Sequence, residues 1–247
     1  MSADELSPDS SGAHSWAVEF SALAAALDSA TSRQESLERV VSAGVALLPA
    51  ADMVSISLRR DDGSFLTAAP TAPLAARLDE LQYSLREGPC VLASGRAGLG
   101  MFASSDLGTD PLVSRWGPAA VREGVHSALA VGLFAHEEPP RVGALNFFAF
   151  SRGALDDADH DAAVVLAAHA AAVLHAHEDA EAAARENENL REALRNRDVI
   201  GQAKGILMER EGIGEEAAFA ILRSVSQRMN VKLSEIARTV TDRHGEL

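Results

Sequence analysis

Only two of the 22 basic residues in this 247-residue chain are lysines, Lys204 and Lys232, and only one residue, Cys90, is a cysteine. A lone thiol excludes an internal disulfide framework and a cysteine-based zinc cluster. No run of about 18 apolar residues occurs, so no membrane partner is expected. The N-terminus lacks the basic, apolar and small-residue pattern of a secretory signal, and the expected location is the cytoplasm. No Gly-rich phosphate loop, nucleophile elbow or HExxH-type motif is present, so an enzyme is not expected. His169, His175 and His177 are spaced by six and two residues. They do not share a helix face as an i, i+4 pair would, and no metal site is expected.

Composition is otherwise that of a globular protein long enough for two modest domains, with 47% hydrophobic and 23% charged residues. The net charge of −14 argues at first against a nucleic-acid partner, which needs local positive charge. The acid is unevenly spread, however. Residues 1–184 carry 11 basic and 25 acidic side chains, whereas 185–247 carry 11 of each. Between positions 195 and 238 the balance is 8 basic to 6 acidic. A mildly positive module on an acidic carrier permits RNA or DNA binding without requiring it.

Residues 1–14 are small, polar and acidic, without apolar periodicity, and are expected to form a disordered tail. Phe20, Leu23, Ala24 and Leu27, then Leu37, Val40, Val41, Val45 and Leu48, recur at helical spacing. Met53, Val54, Ile56 and Leu58 lead into an Asp62-Gly63 turn, which predicts a hairpin. A helix is expected over 73–82, a loop at "REGPCVLASG" and a helix over 111–122. A second strand pair follows, joined by a Pro-rich connection at 137–141. This order predicts an α+β sensor-like domain over 15–155, an antiparallel sheet with flanking helices.

From Asp156 to Ile200 there is neither proline nor glycine, which predicts one long helix or two abutting ones, serving as a linker over 156–196 whose first part packs on the sheet. Val173, Ala180, Asn187 and Leu194 fit heptad position a, with Ala176, Ala183 and Leu190 at d. An alanine-rich seam with one Asn suits a weak, register-specified coiled coil and a switchable dimer. A solvent-exposed Ala/Glu helix between two domains is the other reading. Three short helical patterns then close a unit of about fifty residues at 197–247. The second of these patterns places Ala218, Ile221, Leu222 and Val225 on its inward face.

The stretch "ALRNRDVIGQAKGILMEREGIGEEAAFAILRSVSQRMNVKLSEIARTVTD" resembles an ANTAR domain, the RNA-binding module of bacterial transcription antitermination regulators, over residues 190–242. Upstream, "DELQYSLREGPCVLASG", "GVHSALAVGL" and "GALNFFAF" are similar to the GAF domains that actinobacterial ANTAR proteins carry. The strand-end aspartate pattern of a phospho-receiver is missing, so activation by phosphorylation does not carry over. The resemblance implies a homodimer that binds tandem RNA stem-loops in a nascent transcript so that a terminator hairpin cannot form, with no DNA partner. Such recognition needs few charges, because an unstacked loop is read by close approach and base-edge hydrogen bonds. The alternative is a signal-sensing module whose three helices dock on a protein partner.

Gly201 and Gly205 each weaken a helix interior by about 0.8–1.0 kcal/mol relative to alanine, and their i, i+4 spacing puts them on one face beside Lys204. That bare strip could admit an RNA loop or another helix; the resemblance favours RNA. With Gln202, these residues join Arg195, Arg197, Arg223, Ser226, Arg228, Asn230 and Lys232 as candidate RNA contacts. For Arg228 and Lys232, capping of a helix C-terminus is the rival role. Tyr83, Cys90, Phe102, Trp116, Asn146 and Phe148 are candidates to line a small-molecule site in the sensor domain, although at 4% of the chain the aromatics serve equally well as ordinary core. Cys90 reads best as a small buried apolar side chain.

Overall fold

The computed structural model describes residues 10–95, 100–133 and 142–244. They divide into two compact units, Met1–His177 and Glu178–Leu247. The first opens with helices α1 (Ser10–Asp28) and α2 (Arg33–Leu47). Ser32 caps α2 by accepting the Glu35 N–H at 3.2 Å, and Glu35 reaches back to the Thr31 N–H at 2.8 Å, a variant of the capping box. Residues 10–14, assigned to the tail from sequence, begin α1; residues 1–9 lie outside the described residues.

Five antiparallel strands form one sheet in the order β2-β1-β5-β4-β3: β1 (Met53–Arg59), β2 (Phe65–Pro70), β3 (Met101–Ser104), β4 (Ser127–Leu133) and β5 (Gly143–Ala149). The expected β1–β2 hairpin is present, with Gly63 at φ 80. The 137–141 connection lies outside the described residues. Strand β3 is an addition to the sequence reading; four residues are too few for period-2 alternation to be legible.

Both faces of the sheet are covered. Val54, Ile56 and Leu58 of β1 share a core with Leu129 and Val131 of β4 and Leu145 and Phe147 of β5, under α1, α2 and the start of α6 (His160–Glu211). The alternate residues, Met53, Ala128 and Phe148, face α3 (Pro73–Leu85) and α5 (Trp116–Arg122), with Leu78, Phe102 and Trp116 between. Helix α4 (Pro89–Gly95) occupies part of the segment expected to be a loop. Proline at the first helical position leaves no interior hydrogen bond missing, so it starts a helix here rather than preventing one. The helix expected over 111–122 is split into a 3-10 turn, Pro111–Val113, capped by Asp110, and α5.

Helix α6 is continuous for 52 residues and contributes to both units. In the first, Ala163, Leu166, Ala170 and Leu174 are buried. In the second, residues 199–207 pack with α7 (Glu215–Met229) and α8 (Leu233–His244) around Ala203, Leu222, Ile236 and Ala237. Ile221, assigned from periodicity to the inward face, is 41% exposed. Only Ala218 and Leu222 of α7 are buried, so its inward stripe is narrower than the pattern suggested.

Candidate functional site

The second unit holds a cleft of about 590 Å³ lined by Ala193, Asn196, Arg197, Ile200, Gly201, Lys204, Phe219 and Leu233. Three of the residues singled out from sequence, Arg197, Gly201 and Lys204, meet here. Its only charged lining residues are the two cations. Lys204 is half-buried and ion-paired with Glu215 in the first turn of α7. That partnership holds the Glu215 carboxyl below its usual range, through the hydrogen bond first and the charge second. The lysine is therefore positioned by its partner rather than trailing in solvent.

The glycines also have a definite setting. A Cβ on Gly201 or Gly205 would meet nothing within 4 Å, so no helix of this unit fills the strip. Gly201→Ala and Gly205→Ala are each expected to stabilise the C-terminal unit by about 0.8–1.0 kcal/mol, read by far-UV circular dichroism melts. If the strip is a contact surface, the same variants lose ligand affinity. A gain in stability with affinity unchanged would remove the glycines from the site.

Other sequence candidates are dispersed. Arg195 is exposed and ion-paired with Glu188 at 2.7 Å. Gln202, Gly205, Arg223, Arg228 and Lys232 are exposed and do not line the cleft. Ser226 donates to the Val231 carbonyl at 2.6 Å, and Asn230, at φ 53, caps α7 through its backbone N–H; both thus shape the α7–α8 turn. Asn196 and Phe219, which line the cleft, escaped the sequence reading. Along the helix, residues 178–195 are all exposed, including Leu190 at 59% and Leu194 at 58%, with Val173 half-buried.

In the first unit, Tyr83, Cys90 and Asn146 come together around a residue that the sequence did not advertise, Asp79. Ser55 and Asn146 are register partners on β1 and β5, and Ser57 pairs with Thr67 on β2. These positions lie on the sheet face beneath α3, which supplies Asp79, Gln82 and Tyr83. The Asp79 carboxylate accepts from Thr67 (3.0 Å), Gln82 (3.0 Å) and Asn146 (3.3 Å), and both Ser55 and Ser57 hydrogen-bond it. Tyr83 donates to Ser57 at 2.9 Å, and the Gln82 side-chain oxygen accepts the Cys90 N–H at 2.7 Å.

Among the described residues no cation pairs with Asp79. Full burial raises its pKa from 3.8 to about 7 against the opposing pull of the donors. Burial, then the Asp79 charge, likewise pushes up the Cys90 thiol and the Tyr83 hydroxyl. Phe102, Trp116 and Phe148 pack instead in the neighbouring apolar core. A surface cleft of about 630 Å³ beside the polar cluster is lined by Arg59, Asp62, Gly63, Ser64, Phe65, Tyr83, Arg86 and Val91. Among the described residues, no group of His, Cys, Asp and Glu is placed to hold a metal ion, and no helix is long and apolar enough to cross a membrane.

The GAF domain family model matches residues 30–175 and the ANTAR domain model matches 188–240. No curated protein matches the chain. Among solved structures, the GAF domain of a phosphoenolpyruvate-protein phosphotransferase from Coxiella burnetii is 22% identical with a TM-score of 0.55, the match covering 70% of this chain and 99% of that one. Free methionine-R-sulfoxide reductase from Neisseria meningitidis, solved with its substrate, is 16% identical with a TM-score of 0.50, over 73% of this chain and 99% of that one. At these identities the likeness is one of fold.

Proposed function

Because the chain belongs to the GAF domain family and carries an ANTAR domain on its C-terminal side, we propose that it is a dimeric transcription antitermination regulator whose sensor domain controls the presentation of two ANTAR modules to tandem RNA stem-loops. ANTAR is an RNA-binding antitermination domain and GAF a sensor domain, both regulatory. In this reading 15–155 senses, 156–196 links and pairs, and 197–247 binds RNA. The observation that carries it is the cleft where Arg197, Gly201 and Lys204 meet with no acid in the lining. An RNA phosphate entering it meets Arg197, and Lys204 in exchange for Glu215, on a chain whose overall charge is −14. Pairing through Val173, Ala180, Asn187, Leu190 and Leu194 is supported by the exposure of both leucines, which a second copy would cover. The sensor's signal enters through the polar cluster and surface cleft around Tyr83, Cys90 and Asn146, and the protein works in the cytoplasm.

Removing two phosphate-facing cations weakens binding and flattens its salt dependence, because fewer counterions are released. Arg197→Ala combined with Lys204→Ala is expected to lower affinity for paired-hairpin RNA at least tenfold in gel shifts. The slope of log affinity against log salt should fall by about 1–2. Equal affinity and slope in wild type and double variant would sink the assignment. A stable copurifying protein with no RNA affinity would point to protein docking instead.

A further inference from the structure

Resting on the RNA reading above, we infer that the cleft in the second unit receives a single unpaired base of the RNA loop, stacked on Phe219 and read by Asn196. Phe219 lies on α7 beside the core residues Ala218 and Leu222, yet it is 39% exposed, and its ring lines the cleft. Among the described residues no other aromatic ring stacks on it. A cleft of about 590 Å³ falls within the range of about 300–1,000 Å³ usual for small-ligand sites. Aromatic side chains hold unstacked bases in this way without regard to sequence, since every base has a π-face.

Asn196 supplies the discrimination. Its side-chain oxygen accepts from the Arg238 guanidinium of α8 at 3.1 Å. That bond orients the amide and occupies one of the two lone pairs of Oδ1, leaving both Nδ2 hydrogens as donors. The base edge these donors favour presents an acceptor, a carbonyl oxygen or ring nitrogen. Arg197 and Lys204 are the only charged lining residues; Arg197 meets a phosphate on one side of the base directly, and Lys204 meets the other in exchange for Glu215. An apolar protein side chain would use Phe219 but leave Arg197 and the Asn196 donors without partners, and would give Lys204 nothing beyond the Glu215 it already holds. A nucleotide uses all four.

The test starts from a pool of RNA hairpins with randomised loops, from which the full-length wild-type protein selects binders. Each loop position of a selected hairpin is then made abasic in turn. Affinity is expected to fall roughly 5- to 150-fold at one position. Phe219→Ala is expected to lose a similar factor on the intact loop and nothing further on that abasic loop, whereas Phe219→Tyr retains binding. Asn196→Ala should flatten the base preference at the same position. Circular dichroism melts confirm that each variant is folded. The inference is overturned if no loop position is sensitive in wild type, if Phe219→Ala binds the intact loop normally, or if the two losses multiply. Failure of the wild type to select any hairpin overturns the RNA reading, and this inference with it.

Discussion

Raising the pH from 5 to 8 is expected to lower the melting temperature of the N-terminal unit by on the order of 10 °C, and Asp79→Asn is expected to abolish most of that dependence. Asp79 is fully buried, and its pKa stands at about 7 against 3.8 for an unperturbed carboxyl. Between those values the folded chain keeps a proton that the unfolded chain has released. The folded state binds more protons, so stability falls as pH rises. The contribution is fully present below about pH 4 and gone above about pH 7. At 1.36 kcal/mol per pH unit, the loss from pH 5 upward is about 3 kcal/mol, or roughly 10 °C for a unit of this size.

The groups that face Asp79 are Ser55 and Ser57 of β1, Thr67 of β2, Gln82 and Tyr83 of α3, Cys90 of α4 and Asn146 of β5. None is a cation, so none offsets the cost of a buried negative charge by direct pairing. Tryptophan fluorescence gives a selective readout, since the only two tryptophans, Trp16 and Trp116, precede residue 178. Trp116 is itself fully buried and donates to the Leu78 carbonyl, one residue from Asp79. The same slope in wild type and Asp79→Asn would mean that the five donors keep the carboxylate ionised and that other groups set the pH response.

Gly88→Ala is expected to destabilise the same unit by about 3–6 kcal/mol, while Gly95→Ala, a short distance along, is expected to change stability by no more than about 1 kcal/mol. Gly88 sits at φ +147, and a Cβ there would lie 2.5 Å from Gln82 Cγ and 2.7 Å from its Oε1. Backbone strain of this kind costs about 1–3 kcal/mol. The clash adds to it, because Gln82 is buried and engaged at both ends. Its oxygen holds the Cys90 N–H, and its nitrogen donates to Asp79. Each buried group left without its partner costs about 1–3 kcal/mol. Gly95 has no positive φ, and a Cβ there would meet no atom within 4 Å. Denaturant titrations followed by tryptophan fluorescence compare the two; similar midpoints would show that Gln82 can move aside at little cost.

Much of the architecture was legible because helices and hairpins carry local periodicities. Leu37, Val40, Val41 and Leu47 mark α2 by spacing alone, and Asp62-Gly63 marks the hairpin. The C-terminal motif likewise identified its module and singled out Arg197, Gly201 and Lys204, which line one cleft. What escaped was short or non-local. β3 is four residues long, and α4 hides behind a proline that, in isolation, reads as a loop. Asp79 and Gln82 occupy a helix where polar residues normally face water, so nothing in their spacing announces burial.

The sequence by itself determined the longer helices and the β1–β2 hairpin, the acidic N-terminal and neutral C-terminal parts, the family and the bare glycine strip, because each depends on residues near one another in the chain. Only the tertiary structure decided that Asp79 faces the sheet within a cage of donors, and that Asn196 and Phe219 share a cleft with Arg197 and Lys204. Burial and convergence arise where separate elements meet. Asn196 and Phe219 come from different helices, and the polar cage is built from three strands and two helices. A side chain's chemistry is written in its own letter, but the solvent and partners it meets depend on what folds over it.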